Sequence, residues 1–139
     1  MQPWEIWTCN FADAGPHPAV LFTHPRLLDR VDVEYVNVLF CRTLRAPMKR
    51  EPRAGQVILD RADGLDWQTL CYCHLLHLVP KTSLHERRGS VSRERQRQIS
   101  RELLRLLPFE WGWVFKMMPK TTGGGQCHPN LLRQFCKLP

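Results

Sequence analysis

The sequence predicts a mainly β fold with one principal helix, arranged as a small curled antiparallel barrel with a C-terminal extension. Three observations point there. Short segments rich in β-branched and aromatic side chains recur as far as Pro80, separated by turn residues. A single helical pattern follows at 92–107. The strands precede the helix rather than alternate with helices, which favours a curled sheet over an α/β fold. The 139 residues match the common size of one domain and can bury a core without staples.

Residues 4–11 alternate imperfectly and carry Trp4, Trp7 and Phe11, the mark of a strand. Asp13, Ala14, Gly15 and Pro16 form a turn, and Pro18 is expected at the start of a second strand running to Phe22. Residues 24–32, with Pro25, Asp29 and Asp32, predict a loop. Residues 33–41 are the clearest strand, β-branched and aromatic throughout. Gln56–Leu59 predicts a short strand, and Asp63-Gly64 a turn. Residues 69–79 predict a long apolar strand or two abutting ones, closed by Pro80. A turn is expected at Gly89. Ser92 is placed to cap the helix, with Glu94 in its first turn. Ile99, Leu103, Leu106 and Leu107 recur at helical spacing as the buried stripe. Arg93, Arg97, Arg101 and Arg105 mark another face, either a phosphate-binding ridge or a solvated surface. Beyond Pro108, the alternation of Phe109, Trp111, Trp113 and Phe115 predicts an aromatic strand, so residues 108–139 are expected to pack as strand and tail on the domain formed by 1–107.

Charge narrows the function. Twenty Lys and Arg face 13 Asp and Glu, a net charge of +7, and most of the cations are arginine. Arginine offers a planar fork of donors that matches phosphate oxygens, and a basic surface attracts RNA or DNA whatever its sequence. The stretch 42–53 concentrates this charge. It holds Arg42, Arg45, Lys49, Arg50 and Arg53 against a single Glu51, and is broken by Pro47 and Pro52. It predicts a flexible loop that contacts nucleic acid, with RNA the expected partner. No basic leader followed by an apolar run opens the chain, so no signal peptide is expected. No stretch approaches the ~18 apolar residues of a membrane span. Six cysteines could suggest a disulfide scaffold, but most lie in apolar, strand-like segments, where a free thiol behaves as a small hydrophobe. The expected compartment is a reducing cytoplasm.

Cys71, Cys73, His74 and His77 have the residue types of a zinc site but not its spacing. One residue separates the cysteines where structural sites use two to four, and in a strand His74 faces away from both. A buried strand explains the segment more simply. The sequence carries no phosphate loop, dinucleotide fingerprint or acidic cluster, so no cofactor and no metal is expected. RNA cleavage suits such a chain, because the 2′-hydroxyl attacks its own phosphorus and the substrate supplies the nucleophile. The protein needs a base, a cation for the crowded phosphate and a donor to the leaving oxygen. The candidates are His17, at the mouth of a strand, with Arg42 and Thr43, where the central strand opens into the basic loop.

Several segments, in order, resemble the MazF/PemK family of toxins from bacterial type II toxin–antitoxin systems. Trp4-Glu5-Ile6-Trp7 is similar to the family's Gly-Glu-Ile-Trp opening, and Pro16-His17-Pro18-Ala19-Val20-Leu21 to its Arg-Pro-Ala-Val/Leu strand. Val36 to Thr43 resembles the strand ending in Pro-Ile-Thr-Ser. Gly64-Leu65 with Thr69 to His74 resembles the Gly-Leu and Ser-x-x-x-Cys-Asp-Gln segments, and Leu84, Gly89, Ser92 and the helix fit the closing pattern. The resemblance spans about residues 4–107. It implies an SH3-like barrel, usually a homodimer, acting as a metal-independent endoribonuclease on single-stranded RNA and neutralised by a small acidic antitoxin protein. It also implies that the family's catalytic Arg falls on His17, and its catalytic Thr or Ser on Arg42 or Thr43 according to a one-residue choice of register. Arg45, Lys49, Arg50, Arg53 and His74 become the expected RNA contacts. The same replacements fit an alternative: a catalytically inactive barrel that binds nucleic acid or an antitoxin-like partner. A DNA-binding regulator using the arginine-lined helix is a third reading, weakened by the lack of a helix-turn-helix pattern.

Overall fold

The structure, a computed structural model, describes residues 1–47 and 50–106. All of these fall in one unit, Met1–Pro108. Lys49 and the expected aromatic strand and tail at 108–139 lie outside the described residues.

Six strands and two helices follow in chain order: β1 (Glu5–Phe11), β2 (Gly15–Leu21), α1 (Pro25–Leu28), β3 (Tyr35–Thr43), β4 (Gln56–Leu59), β5 (Thr69–Pro80), β6 (Leu84–Ser90) and α2 (Arg93–Leu106). The strands make one antiparallel sheet in the order β4-β5-β3-β2-β1-β6.

The sheet is open, which corrects the expectation of an SH3-like small antiparallel barrel. Closure would require β4 to pair with β6, and among the described residues they share no ladder. β4 has only four residues, and α2 packs along β4 and β5. The chain after β4 reaches β6 through a turn instead. Asp63, 1% exposed in the 3-10 turn Arg61–Asp63, accepts hydrogen bonds from the backbone N–H of Asp60 (3.0 Å) and of Ser92 (2.8 Å). Gly89 of β6 lies so close that a Cβ there would stand 2.2 Å from the Asp63 carbonyl oxygen. The two edges are therefore joined by a buried carboxylate and a close backbone approach.

Two apolar clusters form the core. Ile6, Val20, Leu39, Cys41, Val57, Leu59, Cys71 and Cys73 pack with Ile99 of α2, and Cys9, Phe11, Ala19, Leu21, Val36, Val38, Val79 and Leu84 form the other. Both exist because β5 bends. Leu39 pairs with Leu76 and Cys41 with Cys71, so four residues of β5 oppose one of β3. A bulge of this kind sharpens local bending and twist. The displaced stretch finds other partners, with Tyr72 pairing with Gln56 of β4 and Cys73 donating its N–H to Gly55 O at 2.8 Å.

Other local expectations are also corrected. Pro18 lies inside β2 rather than at its start, within Gly15–Pro18, a stretch paired with β1 alone. A strand paired on one side tolerates proline. The 24–32 loop contains α1, capped by His24 Nδ1 accepting from the Arg26 N–H at 3.3 Å. The turn expected at Gly89 is part of β6. At the start of α2, the Ser92 carbonyl accepts from Gln96 N and the Gln96 side chain donates back to Val91 O, both at 2.8 Å. Ile99 is fully buried and Leu103 partly so, but Leu106 is exposed; Leu107 lies outside the described residues.

Candidate nucleic-acid interface

The pairing of β2 with β3 lasts three residues, from Leu21↔Val38 to Ala19↔Phe40. It stops where the sequence reads Pro16-His17-Pro18, whose two prolines have no N–H to donate. Continuing the same register two residues further would set His17 of β2 opposite Arg42 of β3, beyond the end of the ladder. Side chains alternate along a strand, so Arg42 shares its face with Phe40, and Thr43 has the other face, across from the buried Thr69. Arg42 is exposed and His17 half-buried. Neither side chain has a hydrogen bond or ion pair among the described residues, so both are available to a ligand.

Phe40 is the centre of this face. Its ring lies 5.0 Å from that of His17, 5.1 Å from Phe11, and 6.1 Å from both Tyr72 and His77, centre to centre. His77 also stands against Phe11 at 5.2 Å, and Tyr72 against His74 at 5.8 Å. Six rings from β1, β2, β3 and β5 thus form one continuous array, three of them imidazoles. The β5 bulge brings Tyr72 and His74 towards this array. A groove of about 600 Å³ adjoins it, lined by Asn10, Phe11, Asp13, Phe40 and His77 among others.

The basic loop approaches the array from one end. Leu44 N donates to Gln68 O (2.8 Å), and Gly55 N donates to the Glu102 carboxylate of α2 (2.8 Å), which fixes both ends of residues 44–55. Gly55, at φ +77°, sits where an added Cβ would stand 3.5 Å from His74 Nδ1, so the loop closes beside that imidazole. Arg45, Arg50, Arg53 and His74 are all exposed. A second groove, about 660 Å³, runs between β4 and α2 and carries Arg53, Arg95, Arg101 and Arg105. Asp60 pairs with Arg95 at 3.3 Å and Glu102 with Arg105 at 2.7 Å, leaving Arg53 and Arg101 without an ion pair among the described residues. The helical arginine stripe is exposed along its whole length.

The thiols face elsewhere. Cys41, Cys71 and Cys73 are buried together in the core, free of disulfides. Its hydrogen bond with Cys41 and its burial push the Cys71 thiol well up, and contact with Cys71 and burial push Cys73 up as well. They remain protonated and are poor ligands and nucleophiles. Among the described residues, no group of three or more His, Cys, Asp or Glu could hold a metal ion. The sequence reading missed Phe11, Phe40, Tyr72 and His77. It expected 69–79 to be buried, whereas His74 to Leu78 are all exposed. The signal present was period-two spacing from Phe40 to Arg42 and from Tyr72 to His74.

No protein-family model matches the chain, and no curated protein matches it in sequence. Solved structures do. An endoribonuclease from a Mycobacterial species, in complex with its cognate antitoxin, is similar over 77% of this chain and 97% of its own, with a TM-score of 0.62 and 15% identity. The Mycobacterium tuberculosis toxin MazF-mt6 is similar over 71% of this chain and 91% of its own, with a TM-score of 0.59 and 15% identity. A further Mycobacterial endoribonuclease covers 78% of this chain and 94% of its own, at a TM-score of 0.62 and 14% identity. The fold is that of the MazF/PemK-like toxins. At these identities the likeness is one of fold alone. No described helix is long and apolar enough to cross a membrane.

Proposed function

We propose that the chain is an endoribonuclease toxin that cleaves single-stranded RNA without a metal ion, on the face built around Phe40. The observation that carries the reading is the aromatic-lined face around Phe40, where the half-buried His17 ring stands 5.0 Å from that of Phe40 and the exposed Arg42 follows two residues along β3. His17 takes the proton of the 2′-hydroxyl as that oxygen attacks the adjacent phosphorus. Arg42 holds the phosphate oxygens as their negative charge builds. The leaving 5′ oxygen departs with a proton, giving a cyclic phosphate and a 5′-hydroxyl. Thr43, on the other side of β3, takes no part. Arg45, Arg50, Arg53 and His74 track the RNA backbone, and the rings of Phe40 and Tyr72 offer stacking surfaces to bases. A small acidic antitoxin covers the same basic face, and the chain pairs as a homodimer. The setting is a reducing cytoplasm.

The test is incubation of the purified protein with a long mixed-sequence RNA in EDTA, with fragment ends mapped. Discrete fragments with 5′-hydroxyl ends are expected, and His17→Ala and Arg42→Ala each lower the rate by about 10²-fold or more. Intact RNA from folded, antitoxin-free protein overturns the reading, as do His17→Ala and Arg42→Ala variants that both retain full activity. One observation favours a second reading, a non-catalytic binder of RNA or an antitoxin-like protein. Among the described residues, His17 has no hydrogen-bonded partner of the kind that orients a catalytic imidazole in the familiar arrangements. Salt-dependent RNA retention with no cleavage products would select it.

A further inference from the structure

Cleavage needs a proton delivered to the leaving 5′ oxygen, and neither His17 nor Arg42 is spare for that task. Two imidazoles, one from β2 and one from β5, stand against Phe40. His17 is 5.0 Å from it and His77 6.1 Å, so the two imidazole centres lie no more than about 11 Å apart. His77 comes from β5, two strands away from His17, and its register partner on β3 is Val38, which offers no polar group. Its ring rests against Phe11 and Phe40, which limits its orientations, while the side chain is exposed and makes no hydrogen bond among the described residues. Both ring nitrogens are thus free to exchange protons. The groove of about 600 Å³ is lined by His77 and Phe40 and not by His17. Its size lies within the range of ligand pockets, and Phe11 and Phe40 supply stacking area while Asn10 and Asp13 supply polar edges.

We propose that His77 is the proton donor to the leaving oxygen, and that the groove beside it receives the nucleotide on the 5′-hydroxyl side of the cut. The inference rests on the ribonuclease reading above and adds a second histidine to it. The bond from the 2′ oxygen to phosphorus forms and that oxygen's proton passes to His17. The bond from phosphorus to the 5′ oxygen breaks and its electron pair takes a proton from the His77 imidazolium. The products are a 2′,3′-cyclic phosphate and a 5′-hydroxyl, with His17 protonated and His77 neutral until solvent resets both.

The experiment compares two oligonucleotides carrying the mapped cleavage site, one with an ordinary scissile bond and one with sulfur in place of the leaving 5′ oxygen. A thiolate leaves without protonation. His77→Gln is expected to slow cleavage of the ordinary RNA by about 10²–10⁴-fold, and the sulfur substrate to restore most of that loss. His17→Gln is expected to fail on both substrates. Circular dichroism and urea unfolding of His77→Gln and His77→Asn exclude misfolding as the cause. The role is overturned if His77→Gln cuts ordinary RNA at the wild-type rate, or if sulfur restores nothing. In either case the ribonuclease reading stands, because the wild-type protein still cuts. A wild-type protein that cuts neither substrate overturns both.

Discussion

Phe40→Leu tests whether one ring organises the face. Phe40 touches four rings, His17 and Phe11 at 5.0 and 5.1 Å and Tyr72 and His77 at 6.1 Å. Aromatic pairs contribute about 0.5–1.5 kcal/mol each beyond the area they bury. Phe40 is half-buried and leucine keeps most of its apolar volume, so the expected loss is about 1–2 kcal/mol of stability, less than for truncation of a core phenylalanine. Activity falls further than stability. Both imidazoles lose the surface that fixes them, and misplacing a reacting group by about 1 Å can cost 10²-fold in rate, so kcat/KM should drop at least about tenfold. The assay pairs urea unfolding with RNA cleavage kinetics. Phe22→Leu is the control, a half-buried ring against Trp4 at 5.2 Å in the other core cluster, which should lose stability and keep activity. If Phe40→Leu is destabilised as expected yet cleaves at the wild-type rate, the ring is packing alone and does not set the histidines.

Asp63→Ala leaves the part-buried N–H groups of Asp60 and Ser92 without their acceptor, so urea unfolding should show a loss of about 1–3 kcal/mol; a loss below about 0.5 kcal/mol would show that the two sheet edges are held by other contacts. Burial works to raise the Glu5 carboxyl, but hydrogen bonds from Gln2 N, the Trp7 indole and Arg87 outweigh it and hold the group below its ordinary value. Its contribution to stability is therefore present above the unfolded carboxylate range and lost as pH falls through the lower folded value, and Glu5→Gln should flatten that part of the acid-unfolding profile. Cys71 and Cys73, buried and held protonated, should react with a thiol reagent only at the rate of global unfolding, as followed by mass spectrometry of their peptide; prompt labelling of the native protein would contradict the packing.

β1 to β5 were legible because each carries a β-branched or aromatic run bounded by turn residues. β6 was not. Leu84 is its only buried residue, and His85, Glu86, Arg87 and Arg88 have no strand pattern. It becomes a strand because β1 presents an open edge, a fact of topology rather than propensity. The open sheet was hidden for a related reason. Closure depends on whether β4 and β6 meet, and what lies between them is decided by Asp63 and Gly89, 26 residues apart in the chain. The candidate site was half visible. His17 and Arg42 stood out by residue type, but choosing Arg42 over Thr43 required the face of β3 on which each lies, and His77 looked like part of a buried strand although His74 to Leu78 are exposed.

Two departures from regular pairing, one on each side of β3, explain why the candidate residues are where they are. The prolines on either side of His17 end the β2–β3 ladder just before Arg42, so neither residue is committed to a paired, filled surface. The β5 bulge falls opposite Phe40, taking from that ring the neighbour a regular ladder would have set beside it and replacing it with Tyr72, and it brings His74 beside Tyr72. A continuous ladder on both sides of β3 would give better hydrogen bonding and a flatter surface. Bulges are enriched next to active sites, where they re-aim side chains, and local rules are broken mainly where function requires it. The two breaks on either side of β3 both fall at Phe40 to Arg42, and all three imidazoles of the array lie within two ring contacts of Phe40. Regularising one break at a time gives the argument its sharpest form. Pro18→Val supplies the missing N–H and should extend the β2–β3 ladder with a gain in stability, while RNA cleavage falls as His17 and Arg42 are drawn into a closed sheet; greater stability with undiminished cleavage would show that the opening has no part in the reaction.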